Sequence, residues 1–383
     1  VHDGAGSRYR RPPVTVRAGV VLLAVLGAAC SGGTGGGPGS SSQQHPTTTV
    51  LPASFNVGFH TFYWDDTAPG VTHVGPGDTQ LPGRILTTEV RYPTLAGAAG
   101  KETRDAPPAK AGSPFPVIVF AHGYDTEPTD YRPLLDAWVR AGFVVVAPIF
   151  PDENAEAVVA AGGPDEGAEE DEFSEPGDLV YVFEQLASIG GQPWGAHLSG
   201  LMDLSDIALA GQSDGADVVA ALSYTPMFRS LYGELTSAPR AVVVMSGSEW
   251  GQTLSGPVGN YRGRPGSPAL LQIQSDADHC VPPAGPGGPV ALWRDLEPGL
   301  ASKWFVTLFG ADHLGPFEGT APWAAVVESV TTKFFELELH WRPSSVSAAA
   351  ITSAGMLSSV SVAGTKRAVD MPASPPKGGC FAP

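Results

Sequence analysis

A sharp turn between an apolar run and a helical run limits the folds open to this chain more than any other feature. Gly211-Gln212-Ser213-Asp214-Gly215 follows Asp206-Ile207-Ala208-Leu209-Ala210 and precedes Ala216-Asp217-Val218-Val219-Ala220-Ala221-Leu222. A short apolar run bounded by glycine predicts a buried strand, and the following run predicts a helix. A turn this tight has no room for side chains at its flanks, which is where glycine is needed. Such a turn lifts a serine Oγ above the end of a parallel sheet and over a helix N-terminus. There the dipole and the unpaired N–H groups favour developing negative charge. The chain has 48 glycines in 383 residues, so the pentapeptide matters only in this strand–turn–helix setting. The plainer alternative is a Gly-rich turn in which Ser213 caps the helix.

The flanking sequence predicts repeated strand and helix units. Val117 to Ala121 is apolar and runs into His122-Gly123-Tyr124. Tyr131 to Ala141 follows as a helix, and Gly142 to Pro148 as a second buried strand. Leu179, Val182, Phe183 and Leu186 recur at helical spacing, with Asp178 as the expected cap. Strands are expected at Arg240 to Ser246, Pro268 to Gln274 and Trp304 to Phe309, and a helix over Ala321 to Leu339. Asn56 to Trp64 and Arg84 to Tyr92 are strands with no helix between them, which suits an antiparallel edge. The fold class is α/β, with a mainly parallel sheet and helices on both faces.

Four segments taken in order resemble the α/β-hydrolase superfamily: Val90-Arg91-Tyr92-Pro93, His122-Gly123-Tyr124, Gly177-Asp178 and Gly211 to Gly215. Within it the chain is most similar to dienelactone hydrolases, platelet-activating-factor acetylhydrolase-like esterases and bacterial polyester hydrolases. The resemblance spans residues 55 to 340. It implies a serine esterase acting through an acyl-enzyme on small-molecule, lipid or polyester esters, with no cofactor and no metal. It also implies an oxyanion hole made by the backbone N–H groups of Tyr124 and Asp214. Polyester hydrolases usually carry Met after the serine; Asp214 places a carboxylate there instead, which disfavours anionic substrates.

The nucleophile needs a base, and the base needs an orienting acid. In this fold they follow in the order Ser, acid, His. His279, His313 and His340 follow Ser213. His313 lies just beyond the last expected strand and is the favoured base. His340 ends a helix, where it would cap carbonyls, and His279 adjoins the acid segment. The family pattern of Asp three residues before Val-Pro selects Asp278 as the acid. Asp276 and Glu249 remain alternatives, with Asp276 expected to bond backbone N–H groups. Tyr124, Trp250 and Phe317 follow strand ends and are candidates for the substrate pocket, or else for ordinary packing. A peptidase of the same fold and a non-catalytic surface binding protein are the rival functions.

Residues 1–29 resemble an export signal, with Arg8, Arg10, Arg11 and Arg17 before the apolar stretch Ala18 to Leu26. Cys30 after small residues resembles a bacterial lipoprotein site. The expected location is therefore the outer side of a bacterial cytoplasmic membrane through lipid on Cys30, or secretion without it. Residues 30–53 are a Gly/Ser-rich tether, 54–342 the catalytic domain and 343–383 an irregular tail. With Cys30 lipidated, Cys280 and Cys380 are left as a disulfide pair. The net charge of −17 argues against nucleic acid as a partner and against electrostatic membrane docking. The acidic run Asp165 to Glu175 is expected to be a solvated loop.

Overall fold

A computed structural model describes residues 52–75, 79–163, 174–228, 235–249, 261–296, 299–342, 349, 351 and 358–362. The strands in chain order are β1 (Asn56–Asp66), β2 (Thr72–Gly75), β3 (Thr79–Pro82), β4 (Arg84–Thr94), β5 (Glu102–Arg104), β6 (Phe115–Ala121) and β7 (Val144–Ile149). They continue with β8 (Met202–Gln212), β9 (Ala241–Met245), β10 (Ala269–Ser275), β11 (Lys303–Leu308) and β12 (Ser358–Val362). The helices are α1 (Arg132–Ala141), α2 (Ala155–Ala161), α3 (Glu175–Ser188) and α4 (Asp214–Tyr224). After them come α5 (Pro289–Leu296), α6 (Gly315–Glu318) and α7 (Trp323–Glu338).

One sheet of ten strands runs in the order β12-β11-β10-β9-β8-β6-β7-β4-β1-β5. The stretch from β11 to β7 is parallel throughout. β4 pairs antiparallel with β7, and β1 antiparallel with β4, as expected for the N-terminal strands. That hairpin is not the edge, because β5 pairs with β1 outside it. β2 and β3 form a separate small hairpin between β1 and β4. The opposite edge comes from the tail: β12 pairs antiparallel with β11, so residues 343–383 are not wholly irregular.

Apart from the first five residues of β8, the parallel strands are buried on both faces, so they read mainly as apolar runs. Side chains still alternate. Val117, Val119, Val242 and Val244 join a core with Leu179, Val182 and Val218 of α3 and α4. Ile118, Phe120, Val243 and Met245 join a second core with Leu134, Trp138, Val327 and Val330 of α1 and α7. Helices thus cover both faces, while the strand ends stay free to carry loops.

Two expectations change here. Asp178 does not cap a helix beginning at Leu179; α3 starts at Glu175, with Pro176 in its first turn, as suits a residue lacking N–H. The Asp178 carboxylate instead accepts from Arg84, at 3.0 Å from Nε and 2.7 Å from Nη2, and Arg84 Nη1 donates to Asp152 at 2.8 Å. A buried guanidinium needs counter-charges, and that need outweighs the local capping preference. Glu175 is fully buried rather than solvated. Residues 164–173, the rest of the acidic run, lie outside the described residues.

Candidate active site

Ser213 follows β8 directly and precedes α4, with φ 54° and ψ −124°. A non-glycine residue there is strained by about 1–3 kcal/mol. Its backbone is fixed from both sides. The Ser213 N–H donates to the Met245 carbonyl at 3.0 Å, and the Ser213 carbonyl accepts from Ala216 and Asp217 N–H at 2.8 and 3.1 Å. The neighbouring glycines are obligatory. A Cβ on Gly215 would meet the Ala121 and His122 carbonyl oxygens, and one on Gly211 would meet the Gly215 carbonyl.

Asp278 follows β10, and His313 follows β11, at the same ends of the parallel strands as Ser213. His313 Nδ1 lies 3.0 and 2.9 Å from the two Asp278 oxygens, and His313 Nε2 lies 3.0 Å from Ser213 Oγ. An ionised carboxylate only accepts, so Nδ1 carries the proton and Nε2 offers its lone pair to the serine hydroxyl. Asp278 is fully buried. Cys280 and Val281 N–H donate to its Oδ1 at 2.9 and 3.0 Å, and Gln274 Nε2 donates to Oδ2 at 3.0 Å. Burial pushes this carboxyl up, but the charge and hydrogen bond of His313 and the Val281 N–H more than offset it and hold the group below its ordinary value.

The other acid candidates lie elsewhere. Asp276 Oδ1 accepts the Gly310 N–H at 2.7 Å, tying the turn after β10 to the histidine loop. Ser275 Oγ donates to the Ala311 carbonyl at 2.6 Å and makes a second tie. Glu249 is buried, and its Oε1 has no hydrogen-bond partner among the described residues. Burial first, then the charge and hydrogen bond of Asp295 and the charge of Asp217, push its carboxyl up from 4.5 to about 7. His340 Nδ1 lies 3.1 Å from the Leu337 carbonyl at the end of α7, in the capping place expected for it.

The loop after β6 lies against the turn: a Cβ on Gly123 would come 2.8 Å from Ser213 Cβ. Phe150 N–H donates to His122 Nε2 at 2.9 Å, so His122 carries its proton on Nδ1, which donates to the Gly123 carbonyl at 2.9 Å. Thr126 Oγ1 donates to the same oxygen at 2.6 Å. The Gly123–Tyr124 peptide is planar, so two donors on its carbonyl fix the direction of the Tyr124 N–H. Asp214, the other expected oxyanion donor, is the first residue of α4.

Phe317 is 1% exposed and packs in the core with Tyr131 and Leu134, the plainer of the two roles considered for it. Trp250, Cys30 and Cys380 lie outside the described residues. Cys280 is disulfide-bonded; the chain's other cysteines are Cys30 and Cys380. Asp278, Cys280 and His313 bring potential metal-ligand atoms within 4.8 Å of one another. The oxidised sulfur and the Asp278–His313 bond leave that cluster a poor metal site.

Sequence reasoning missed several polar residues around this site. Gln274 holds Asp278, Thr126 holds the Gly123 carbonyl, and Tyr131 OH donates to Gln212 Oε1 at 2.7 Å. The available signal was polarity inside apolar strands: Gln212 and Gln274 stand among buried residues of β8 and β10.

No protein-family model matches the chain, and a search of curated proteins finds no significant match.

The Glu249 carboxyl gives a pH-dependent expectation. Its folded-state value lies above the unfolded one, so folding favours the protonated form. The resulting penalty is absent below about pH 4.5, grows as pH rises toward 7, and is complete above that. Glu249→Gln should therefore stabilise the fold relative to wild type at pH 8 but not at pH 4.5, by on the order of 1–3 kcal/mol. Urea midpoints at the two pH values check this. An equal effect at both would show that the carboxyl is not proton-linked to folding.

Proposed function

We propose that the protein is a serine carboxylic-ester hydrolase of α/β-hydrolase fold. The observation that carries this is the unbroken chain from Asp278 through His313 Nδ1 and Nε2 to Ser213 Oγ, at 2.9 and 3.0 Å. Its three members come from three separate strand ends, and packing alone does not call for that convergence. In the proposed reaction His313 Nε2 takes the hydroxyl proton as Oγ attacks the ester carbonyl. The oxyanion is met by the Tyr124 and Asp214 N–H groups. The C–O bond to the alcohol breaks, and the alcohol leaves with the proton from His313. Water then gives a proton to His313, attacks the acyl carbon and releases the carboxylic acid, and Ser213 regains its proton. Asp278 stays ionised throughout and balances the imidazolium.

The charge around the site favours neutral esters. Asp214 adjoins the nucleophile, and Asp312 lies one residue before His313; Glu318 in α6 is close enough to feel Asp130, Asp312 and His313, although burial first and then the two aspartates raise its carboxyl. An anionic acyl group would meet this negative field. The location belongs to the same proposal: export, with lipid on Cys30 as the anchor. The Cys280 disulfide supports an oxidising compartment. Among the described residues no helix is long and apolar enough to cross a membrane.

Ser213→Ala should abolish p-nitrophenyl ester hydrolysis and fluorophosphonate labelling while leaving the melting temperature near wild type or higher. Asp278→Asn should lose about 10³-fold or more in turnover, against less than about 10-fold for Asp276→Asn or Glu249→Gln. Full activity in Ser213→Ala would remove the esterase reading. A larger loss in Glu249→Gln than in Asp278→Asn would move the acid to the end of β9.

At low salt, kcat/KM for p-nitrophenyl butyrate should exceed that for mono-p-nitrophenyl succinate by about 10-fold or more, and added salt should narrow the gap. Equal rates at low salt would show that the carboxylates do not act on the substrate.

Expressed in a bacterium with its own N-terminus, the protein should partition into detergent, and Cys30→Ala should move it to the aqueous phase. Partitioning that survives Cys30→Ala would rule out lipid on that cysteine.

A further inference from the structure

Gln212 is fully buried immediately before the candidate nucleophile. Its Nε2 lies 3.2 Å from His313 Nε2 and 3.4 Å from the His313 carbonyl oxygen. A carbonyl oxygen only accepts, so the NH2 end of the amide is the end turned toward His313. The other end is fixed independently, since Tyr131 OH donates to Gln212 Oε1 at 2.7 Å. The Tyr131 oxygen accepts the Gly123 N–H at 3.4 Å and lies 3.1 Å from Thr126 Oγ1. Burial pushes the Tyr131 hydroxyl well above its ordinary value, so it remains a donor. A buried chain of hydrogen bonds therefore runs from the Gly123 loop through Tyr131 and Gln212 to His313. It does not pass through Ser213.

That bypass matters at one step. In the free protein the His313 ring is held at Nδ1 by Asp278 and at Nε2 by Ser213 Oγ. Once Oγ is bonded to an acyl carbon it has no proton to donate, and the bond to Nε2 is lost. Of those two ring bonds, the one at Asp278 then remains. The link from Gln212 to the His313 backbone carbonyl does not depend on the serine and survives acylation.

Resting on the esterase reading above, we propose that Gln212, oriented by Tyr131, is a positioning residue that holds His313 for deacylation. In that step His313 Nε2 takes a proton from water, and the water oxygen bonds to the acyl carbon. The acyl–Oγ bond then breaks, and the proton passes to Oγ. Acylation, in which the Ser213 hydroxyl itself holds the ring, depends on Gln212 far less.

Kinetics can separate the two steps, because kcat/KM reports events up to acylation and kcat includes deacylation. Gln212→Met keeps the length and removes the amide; Tyr131→Phe keeps the ring and removes the hydroxyl. With p-nitrophenyl acetate, each should lower kcat about 10- to 100-fold, the scale of a misplaced catalytic group. KM should fall in parallel, leaving kcat/KM within about 3-fold. Stopped flow should show a burst of one p-nitrophenolate per site, and quenched samples should carry acetyl on Ser213. The double variant should be no slower than Gln212→Met, since both changes cut one chain. Equal losses in kcat and kcat/KM, or an unchanged kcat, would overturn the inference while fluorophosphonate labelling of Ser213 keeps the esterase reading. Absence of labelling in wild type would remove both. Tyr131→Phe decides the matter alone if Gln212→Met does not fold.

Discussion

The contact between the loop after β6 and the first turn of α4 sets the positions of everything else at this end of the sheet. At Gly215 a Cβ would lie 2.5 Å from the Ala121 carbonyl oxygen, and at Gly123 one would lie 2.8 Å from Ser213 Cβ. Two backbones can approach this closely only where side chains are missing. Any added atom would drive α4 away from β6, and with it the Ser213 and Asp214 backbone from the Tyr124 peptide. The strained serine conformation follows from the same closeness. A relaxed residue would carry the chain away from β8 before the helix could begin, and the burial of every residue of α4 outweighs the strain.

The strand–turn–helix unit and the parallel strands were legible because double burial removes polar residues from a strand and leaves a plain apolar run. Ala241–Met245 and Phe115–Ala121 are buried at every position, so their sequences say so directly. Edges are different. Ser358-Ser359-Val360-Ser361-Val362 has no apolar run; its pairing with Trp304–Leu308 supplies the order that its own composition does not. Asp178 was misjudged for a related reason. Its local sequence suits a cap, but its partner Arg84 is 94 residues away, and a buried guanidinium outweighs a local preference.

The site was legible as a skeleton. The candidate nucleophile, base and acid come from motif order and strand ends, and the geometry brings Ser213, His313 and Asp278 together. The residues that orient them were hidden. Gln212, Gln274 and Thr126 are ordinary polar side chains with no spacing rule, and Tyr131 looks like the start of a helix. Their meaning lies in which buried donor faces which buried acceptor, and only the folded chain settles that.

Asp278 and Glu249 show why position after a strand is not enough to identify an acid. Both follow strands of the same sheet, both are buried, and both lie near the same end. Asp278 receives two backbone N–H groups, the Gln274 amide and the His313 ring, so its charge is held even without water. Glu249 meets Asp295 and Asp217 instead, and its carboxyl is pushed up to about 7. In the proposed reaction, where His313 takes a proton from Ser213, the imidazolium needs a carboxylate that is already ionised and stays so. A group titrating near 7 would be half protonated at neutral pH and would answer the new charge by shifting its own proton. The donors around Asp278, rather than its place in the chain, are what make it the partner of His313.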